Sequence, residues 1–408
     1  MSAEPPVRPG LPRPVYAIAM ATAVLVAFAS WPLPRITPDA AVYLTGAEAI
    51  ADTGRYESCI RDVTEYAPGY PVALAGLIVA GLDAPDAASL VNVLAAAVLV
   101  LAAAALALAS GLGRTAVVVV AGATAVAPVT LRNGAAAWSE LTFSAVLVLL
   151  LLVALNNDRG LEVRLNRRLV LALVLAWALL LVRYSGLFVL PALALSAWLG
   201  SRHASRRAAR TALFTGAVLS VPALWYARNL SLGSGAFGSR SESRFSVLET
   251  LGQVPDGLSS IVLPVDVPAV VRIAVLAPLL VACFLAVRRP FGVAQVVLFT
   301  AVATYVAGVA IAATRTLLDG VDARLLSPVF VPAAVLVALG VCGYGGRIWP
   351  SLQRVLRGYA VALIACMALI APGIAWYLHD AERTLRLDFP VDCADWPSRY
   401  EGLDAPPS

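Results

Sequence analysis

The segment "LTFSAVLVLLLLVAL", from Leu141 to Leu155, decides the class of fold. It carries no charged side chain, and its apolar residues do not alternate with polar ones as they would in a strand of a membrane β-barrel. Similar runs recur along the chain. Of its 408 residues 60% are apolar and 13% are charged, whereas soluble domains have about 45–50% and about 25%. The sequence therefore predicts an all-α polytopic membrane protein.

Eleven membrane spans are predicted from the positions of the apolar runs. The stretch 69–82 is not counted, because prolines begin it, aspartates end it and it is too short to cross a bilayer. It is predicted to lie at the outer surface or to dip into it. The first run ends in "SWPLPR" rather than in a small-residue cleavage site, so we interpret it as a retained helix and not as a signal peptide. The spans are 15–33, 87–110, 115–131, 139–155, 169–182, 185–199, 211–227, 270–287, 291–313, 325–345 and 359–378.

The distribution of charge orients these spans. With the N-terminus in the cytoplasm, the inner segments hold 16 of the 30 arginines but only three of the 25 acidic residues, as the positive-inside rule requires. This predicts a cytoplasmic segment 1–14, a transmembrane domain 15–378 and a short extracytoplasmic tail 379–408. The first outer loop, 34–86, is predicted to carry surface helices. The net charge of +5 is spread between the spans and does not indicate nucleic-acid binding.

The first outer loop opens with "RITPDAAVYLTGAEAIADTGRY", from Arg35 to Tyr56. Thr37 is suited to cap a helix and Pro38 to occupy its first turn, so a helix is predicted over 39–51. Asp39 and Tyr43 are four residues apart and lie on the same face of this helix. Asp39 is a candidate catalytic carboxylate just above the bilayer. The alternative is that it only stabilises the helix N-terminus.

The motif "YAPGYP", from Tyr66 to Pro71, follows in the same loop. Two prolines and a glycine predict a rigid turn, which places Tyr66 and Tyr70 at the depth of the lipid headgroups. Either these tyrosines line a cavity between the loop and the membrane, or they are interfacial anchors.

A second acidic residue stands at the end of "RNGAAAWSE", from Arg132 to Glu140. Glu140 lies where the next helix enters the membrane, and an acid at that depth faces a polar cavity more often than lipid. The alternative is again a helix N-terminus that favours negative charge. Arg132 is a candidate ion-pair partner of Glu140.

Three arginines are predicted at the outer ends of later spans. Arg183 interrupts the apolar stretch 169–199, which is too long for one crossing, so a turn is predicted at 183–186. Arg228 in "WYARN" and Arg324 in "LDGVDARLLSP", two residues after Asp322, occupy similar positions. Each alone is typical of an interfacial arginine. Together they form a candidate site for one anionic group, since the planar guanidinium suits phosphate.

The sequence offers few residues for a metal or a nucleotide cofactor. His203 and His379 are its two histidines, no His or Cys cluster predicts a zinc site, and no P-loop or dinucleotide fingerprint occurs. Among the five cysteines, Cys59 and Cys393 both fall outside the membrane by the predicted topology. We predict that they form a disulfide, which that compartment permits.

The order of these features resembles the GT-C superfamily of integral-membrane glycosyltransferases, including the protein O-mannosyltransferases, the aminoarabinose transferases and the oligosaccharyltransferases. The resemblance covers about residues 15–380 and implies a GT-C-like bundle of about 11 transmembrane helices. Many members carry two adjacent acids in the first loop, whereas Asp39 is followed by Ala40, and Glu140 likewise stands alone. The matching motifs are "TPDAAVYL", "YAPGYPVALAG", "AAWSELTF", "VRYSGL", "WYARN" and "DARLLSPVFVP".

The resemblance implies transfer of a sugar from a polyprenyl-phosphate donor to an acceptor hydroxyl at the extracytoplasmic face of the cell membrane, with inversion of the anomeric centre. Asp39 is the implied general base, and Glu140 orients the acceptor or supports Asp39. The implied phosphate ligands are Arg183, Arg228 and Arg324. The acceptor is a glycan, a glycolipid or a protein. The residues implied in the substrate cavity are Tyr43, Tyr66, Tyr70 and Asp322.

Two other classes of function remain open from the sequence. A transporter or flippase of a lipid-linked sugar would use the same acids and arginines for binding alone, and a structural subunit would hold a partner enzyme. Internal repeats typical of transporters are not evident. No cofactor is predicted with certainty, and a divalent metal is left open, although the lone acids weaken the case for one.

Overall fold

The computed structural model describes residues 10–58, 61–155, 160–201, 205–239, 241–264, 267–287, 292–316, 320–342 and 350–385. Cys59, Cys393 and the tail beyond 385 lie outside the described residues, so the predicted disulfide is not described. The helices are α1 (Arg13–Ala29), α2 (Pro38–Thr53), α3 (Gly69–Val79), α4 (Ala84–Ala109), α5 (Arg114–Val126), α6 (Pro128–Ala135), α7 (Glu140–Leu155), α8 (Arg167–Val182), α9 (Leu190–Gly200), α10 (Arg207–Ser231), α11 (Val247–Ser260), α12 (Ala269–Val287), α13 (Val293–Ala313), α14 (Ala323–Leu326), α15 (Phe330–Cys342) and α16 (Pro350–Leu385).

The all-α fold class is confirmed in the described residues, apart from one short hairpin. Two-residue strands β1 (Glu57–Ser58) and β2 (Arg61–Asp62) pair antiparallel in the first loop. Short 3₁₀ segments, Tyr184–Val189 and Ser327–Val329, lead into α9 and α15.

Helix α4 lies at the centre of the bundle, where it packs against α1, α5 and α7. Its buried face is rich in alanine, which lets neighbouring helices approach closely in the absence of a water-driven hydrophobic force. The alanines of this face include Ala95, Ala96, Ala102, Ala103 and Ala107.

Fewer helices than the eleven predicted spans are long and apolar enough to cross a membrane by themselves. Among the described residues, six helices are long and apolar enough to cross a membrane, namely α4, α10, α12, α13, the continuous Ala323–Cys342 segment and α16. A seventh results if α5 and α6 are taken as one bent span. The chain is thus a multi-pass membrane protein. Helices also occupy the other predicted spans, but they are shorter, and the count of eleven stays a prediction.

The predicted span 115–131 is wrong as a single helix. Helix α5 ends at Val126, Ala127 is extended, and α6 starts at Pro128 with a bend of 46° between the two. The cause is Pro128, which lacks a backbone N–H and disfavours the helical conformation of the residue before it.

One helix boundary and one loop also differ from prediction. The final helix, predicted over 359–378, extends from Pro350 to Leu385. The predicted loop 228–269 contains α11, which starts with a capping box between Ser246 and Glu249.

The break at Arg183 is confirmed, because α8 ends at Val182 and Arg183 has an extended conformation. The surface helix of the first loop is confirmed as a helix as well. Thr37 accepts a hydrogen bond from the backbone N–H of Ala40 and caps α2, which ends at Thr53 and is followed by the C-cap residue Gly54, where φ is +73°.

The first loop is fixed onto the bundle by main-chain hydrogen bonds. The N–H of Arg35 donates to Ala135 at 2.8 Å, and the N–H of Ala137 donates to Arg35 at 3.0 Å. The buried side chain of Asn92 donates to the carbonyl of Ala136 at 2.5 Å. This bridge joins the segment before α2 to the segment between α6 and α7, and so it brings Asp39 close to Glu140.

Candidate functional site

Asp39 lies in the first turn of α2 and has partners from two distant parts of the chain. Its Oδ2 accepts a hydrogen bond from Nη1 of Arg324 at 2.7 Å, and its Oδ1 accepts one from the hydroxyl of Tyr66 at 2.6 Å. The Asp39 side chain is 26% exposed and that of Arg324 is 16% exposed. Asp39 and Arg324 are therefore on the same side of the bundle and in direct contact.

Glu140 is the first residue of α7 and is almost completely buried. Its Oε1 lies 2.6 Å from Nη1 of Arg183 and 3.4 Å from Nε of Arg324. Its Oε2 is buried and has no hydrogen-bond partner within the described part of the chain. Arg132, the partner proposed from sequence, instead donates to the carbonyl of Pro264. The short helix α6 ends before the chain turns into α7, so proximity in sequence did not produce the pair.

Ser139 links the tyrosines of the cluster to Arg183. It was not among the residues predicted from the sequence. Its Oγ accepts from Nη1 of Arg183 at 3.0 Å and lies 3.2 Å from the hydroxyl of Tyr43. The ring of Tyr43 makes edge contacts with Tyr66 and Tyr70, with centroids 5.2 and 5.4 Å apart. These contacts thus form a continuous set from α2 to the end of α8.

Electrostatics keep Asp39 ionised and Tyr43 protonated. Burial alone would raise the pKa of Asp39, but Arg324, the hydrogen bond from Tyr66 and the charge of Arg183 outweigh it and hold that pKa below its usual value. Burial raises the pKa of Tyr43 to about 12, against the opposing charge of Arg183. At neutral pH the first-loop side of the site therefore offers a carboxylate and a neutral phenol.

These groups open onto a cavity of about 440 Å³. One part of its wall is polar and charged, with Asp39, Arg183, Arg324, Asp322 and Glu65. Apolar residues of the lining come from the 3₁₀ segment after α8, from α13, from the loop after α10 and from α14. The apolar lining includes Leu187, Phe188, Phe237, Val309, Ala312 and Leu325.

The structure brings most of the predicted site residues together. Asp39, Tyr43, Tyr66, Arg183, Asp322 and Arg324 line this cavity. Tyr70 is fully buried behind Tyr43, so it supports the wall instead of facing the space. Glu140 lies below the wall, at 2% exposure, where it holds both arginines.

Arg228 does not converge with the other two arginines. Its guanidinium lies 2.6 Å from Asp62, donates to the carbonyl of Val63 at 3.0 Å and stacks on the ring of Trp225. It lines a separate cavity of about 530 Å³ beside the hairpin. The reason is that the first loop folds back over the end of α10, so its carboxylate and carbonyls take the donors of Arg228.

Asn229, the neighbour of Arg228 in the "WYARN" motif, was not predicted as a site residue from the sequence. Asn229 is fully buried, and its side chain donates to the carbonyls of Thr64 and Ala236 and to the hydroxyl of Tyr184. The hydroxyl of Tyr184 donates in turn to the carbonyl of Thr64 at 2.7 Å. These bonds hold the segment that carries Tyr66. An asparagine at the end of a helix carries no sequence signal that separates this role from ordinary polarity.

Comparisons with known proteins define the fold. Sequence comparison finds no matching family model and no matching curated protein. Three solved structures are similar. ArnT from Cupriavidus metallidurans bound to undecaprenyl phosphate has a TM-score of 0.58 at 16% identity, over 89% of this chain and 72% of that one. The arabinofuranosyltransferase AftD from Mycobacteria has 0.57 at 19%, over 91% and 27%. The Archaeoglobus fulgidus oligosaccharyltransferase in complex with Zn and sulfate has 0.52 at 15%, over 96% and 57%.

These neighbours are all GT-C glycosyltransferases. The chain has the GT-C fold, and the resemblance noted from the sequence is confirmed at the level of the fold. The apolar helices are those of a membrane protein, and the helices of the first loop pack on the bundle.

Proposed function

We propose that this protein is a membrane glycosyltransferase that moves a sugar from a polyprenyl-phosphate donor to an acceptor hydroxyl on the extracytoplasmic face. One observation carries the proposal. A carboxylate, Asp39, and two guanidinium groups, Arg183 and Arg324, line one cavity together with apolar side chains such as Leu187 and Phe188. Such a cavity suits a ligand with a phosphate head and a hydrocarbon tail. The similarity to ArnT, which was determined with undecaprenyl phosphate, supports the same ligand class.

The phosphate of the donor binds Arg324 and Arg183 in this proposal. Both side chains are 16% exposed and present planar donors, which suit phosphate oxygens. The first isoprene units lie against the apolar wall of α13 and of the 3₁₀ segment. Arg228 has no part in this binding, since it belongs to the other cavity.

Asp39 acts as the general base. The acceptor oxygen attacks the anomeric carbon, and its proton passes to the carboxylate of Asp39. The bond between the anomeric carbon and the phosphate oxygen breaks, and polyprenyl phosphate leaves with the electron pair. Arg324 and Arg183 stabilise the charge that grows on this oxygen. Attack opposite the leaving group inverts the anomeric centre.

The ion pair between Asp39 and Arg324 couples donor binding to base strength. In the free protein Arg324 holds the carboxylate in its ionised form and makes it a weak base. A bound phosphate competes for the same guanidinium, so the pKa of Asp39 rises and its affinity for the acceptor proton increases. Tyr43, Tyr66 and Asp322 contact the sugar, while Glu140 positions both arginines.

The proposed orientation places this cavity outside the cytoplasm, in a multi-pass protein of the cell membrane with a cytoplasmic N-terminus. The asymmetry of arginine and acid across the predicted loops supports it. The acceptor is a glycan, a glycolipid or a protein hydroxyl of the cell envelope. Mass spectrometry of envelope glycans with and without the gene identifies the sugar that is transferred.

The proposal is tested by Asp39→Asn in purified protein with the donor so identified. Loss of the base is expected to lower transfer by at least about a hundredfold, while donor binding by thermophoresis remains. Asp86→Asn is the matched control, because Asp86 is likewise an acid in the first turn of a helix, α4. If Asp39 only stabilised a helix N-terminus, both variants would behave alike. A flippase would show no sugar transfer in detergent at all.

A further inference from the structure

We propose that the guanidinium of Arg324 is a built-in cation between Asp39 and Glu140, in the position where a divalent metal would otherwise bridge two carboxylates, and that this site binds no divalent metal. The consequence, that sugar transfer needs no divalent metal, rests on the proposed function. The statement about metal binding does not, so the two are tested separately.

Arg324 contacts both carboxylates with different nitrogens. Its Nη1 lies 2.7 Å from Oδ2 of Asp39, and its Nε lies 3.4 Å from Oε1 of Glu140. Asp39 and Glu140 come from the first loop and from the start of α7, and one guanidinium joins them. A bridging metal ion makes the same connection with shorter bonds.

The charges within the connected set of ion pairs are already balanced. Arg183 lies 2.6 Å from Oε1 of Glu140, so two guanidinium groups face two carboxylates. A divalent cation entering this cluster would meet two positive charges at close range, and the repulsion is strong because Glu140 is 2% exposed and its surroundings are poorly screened.

The number of available ligands also falls short. Zinc takes four ligands, mostly imidazole, thiolate or carboxylate groups, and calcium takes about six to eight oxygen ligands. Among the residues that the structure describes, no group of three His, Cys, Asp or Glu side chains is close enough to hold a metal ion. The side chains present therefore do not fit the metal that the sequence left open.

Arg324 is held in place by the protein itself. Its guanidinium stacks on the ring of Trp138 at 4.9 Å. The helix that carries it, α14, is capped by the side chain of Asp322, and Gln253 of α11 accepts a hydrogen bond from the N–H of Val321 at 2.8 Å. The cation is thus part of the folded site before any ligand arrives.

The test is a titration of purified, EDTA-treated protein with Mn²⁺, followed by the electron paramagnetic resonance signal of the free ion. Wild type is expected to show no saturable binding in the millimolar range. Arg324→Gln keeps a polar, though shorter, side chain and removes its charge, and its affinity for Mn²⁺ is expected to rise by at least about tenfold. Arg272→Ala is the control, because it removes a guanidinium that faces a single carboxylate, Asp256.

Each outcome decides the inference. Saturable Mn²⁺ binding by wild type that disappears in Asp39→Asn would overturn it, and this arm needs no folded Arg324 variant. Equal behaviour of Arg324→Gln and Arg272→Ala would also overturn it. Loss of sugar transfer in EDTA with recovery in Mn²⁺ would refute the inference that the site works without a divalent metal, while the transferase function stands. Absence of transfer under every condition, with the expected Mn²⁺ pattern, would refute the function alone.

Discussion

At the scale of single residues, the site depends on how one carboxylate is kept ionised in a partly buried position. Asp39 loses solvation in the cavity wall, and Arg324 and Tyr66 compensate by bonding one oxygen each. Each oxygen of a carboxylate has two lone pairs, so one remains free on each for a substrate hydroxyl. The arrangement holds the base in its charged form without closing it off.

Tyr66→Phe is expected to move the acidic limb of the transfer rate to higher pH. The hydrogen bond from Tyr66 favours the ionised carboxylate and lowers the pKa of Asp39. Without it the pKa rises, so Asp39 becomes protonated at a higher pH and the base is lost earlier as the pH falls. The measurement is the pH dependence of kcat/KM, which reports groups of the free enzyme.

Tyr70→Phe is the control for this experiment. Tyr70 packs on the same ring, Tyr43, but its hydroxyl has no hydrogen-bond partner in the described part of the chain. Its pH profile is expected to match wild type. A Tyr66→Phe profile that also matches wild type would show that this hydroxyl does not control Asp39.

At the scale of helices and loops, close packing between α13 and the 3₁₀ segment sets the width of the cavity. Gly308 of α13 lies against the ring of Phe188, and a Cβ at this position would collide with that ring. Phe188 is held from behind, since its carbonyl accepts a hydrogen bond from Thr304 at 2.7 Å. Glycine is therefore required here by contact, in a helix where it would otherwise cost stability.

Gly308→Ala is expected to push the ring of Phe188 into the cavity and to raise the KM for the lipid-linked donor about tenfold, the size of a typical overpacking penalty. Gly216→Ala in α10 is the matched control, because a Cβ there meets no atom within 4 Å. Steady-state kinetics with a short-chain donor compares the two. An unchanged KM in Gly308→Ala would mean that the donor does not use the apolar wall.

Helix starts and breaks were predicted where a local sequence signal marks them. The cap at Thr37, the proline at 38 and the interruption at Arg183 act within one helical turn, and all three were predicted correctly. The break at Pro128 carried an equally local signal and was missed because the apolar run continues through it. Helix α11 was missed because a polar, amphipathic segment resembles a loop in a chain whose membrane spans are apolar.

At the scale of the whole molecule, the fold brings together four charged residues that are far apart in sequence. Asp39, Glu140, Arg183 and Arg324 come from the first loop, α7, the end of α8 and α14, and they form one connected set of ion pairs. Their common position at one end of the bundle makes the orientation of the protein in the membrane decisive for the function.

The predicted orientation is tested with single cysteines in a variant that lacks the native ones. A cysteine at Asp52, exposed at the end of α2, is expected to react with an impermeant maleimide in intact cells. A cysteine at Arg206, exposed before α10, is expected to react only after permeabilisation. The reverse pattern would place the cavity in the cytoplasm and exclude an extracytoplasmic transferase.

The sequence by itself determined the membrane class, the helices with strong caps or breaks, and the candidate residues Asp39, Glu140, Arg183 and Arg324. These follow from hydropathy and from the cost of charge near a bilayer, which act locally. The tertiary structure decided which of them meet. It paired Glu140 with Arg183 and Arg324 instead of Arg132, moved Arg228 to the hairpin and introduced Ser139 and Asn229. Pairing depends on helix packing and on the path of the first loop, and neither is encoded in the spacing of the charges.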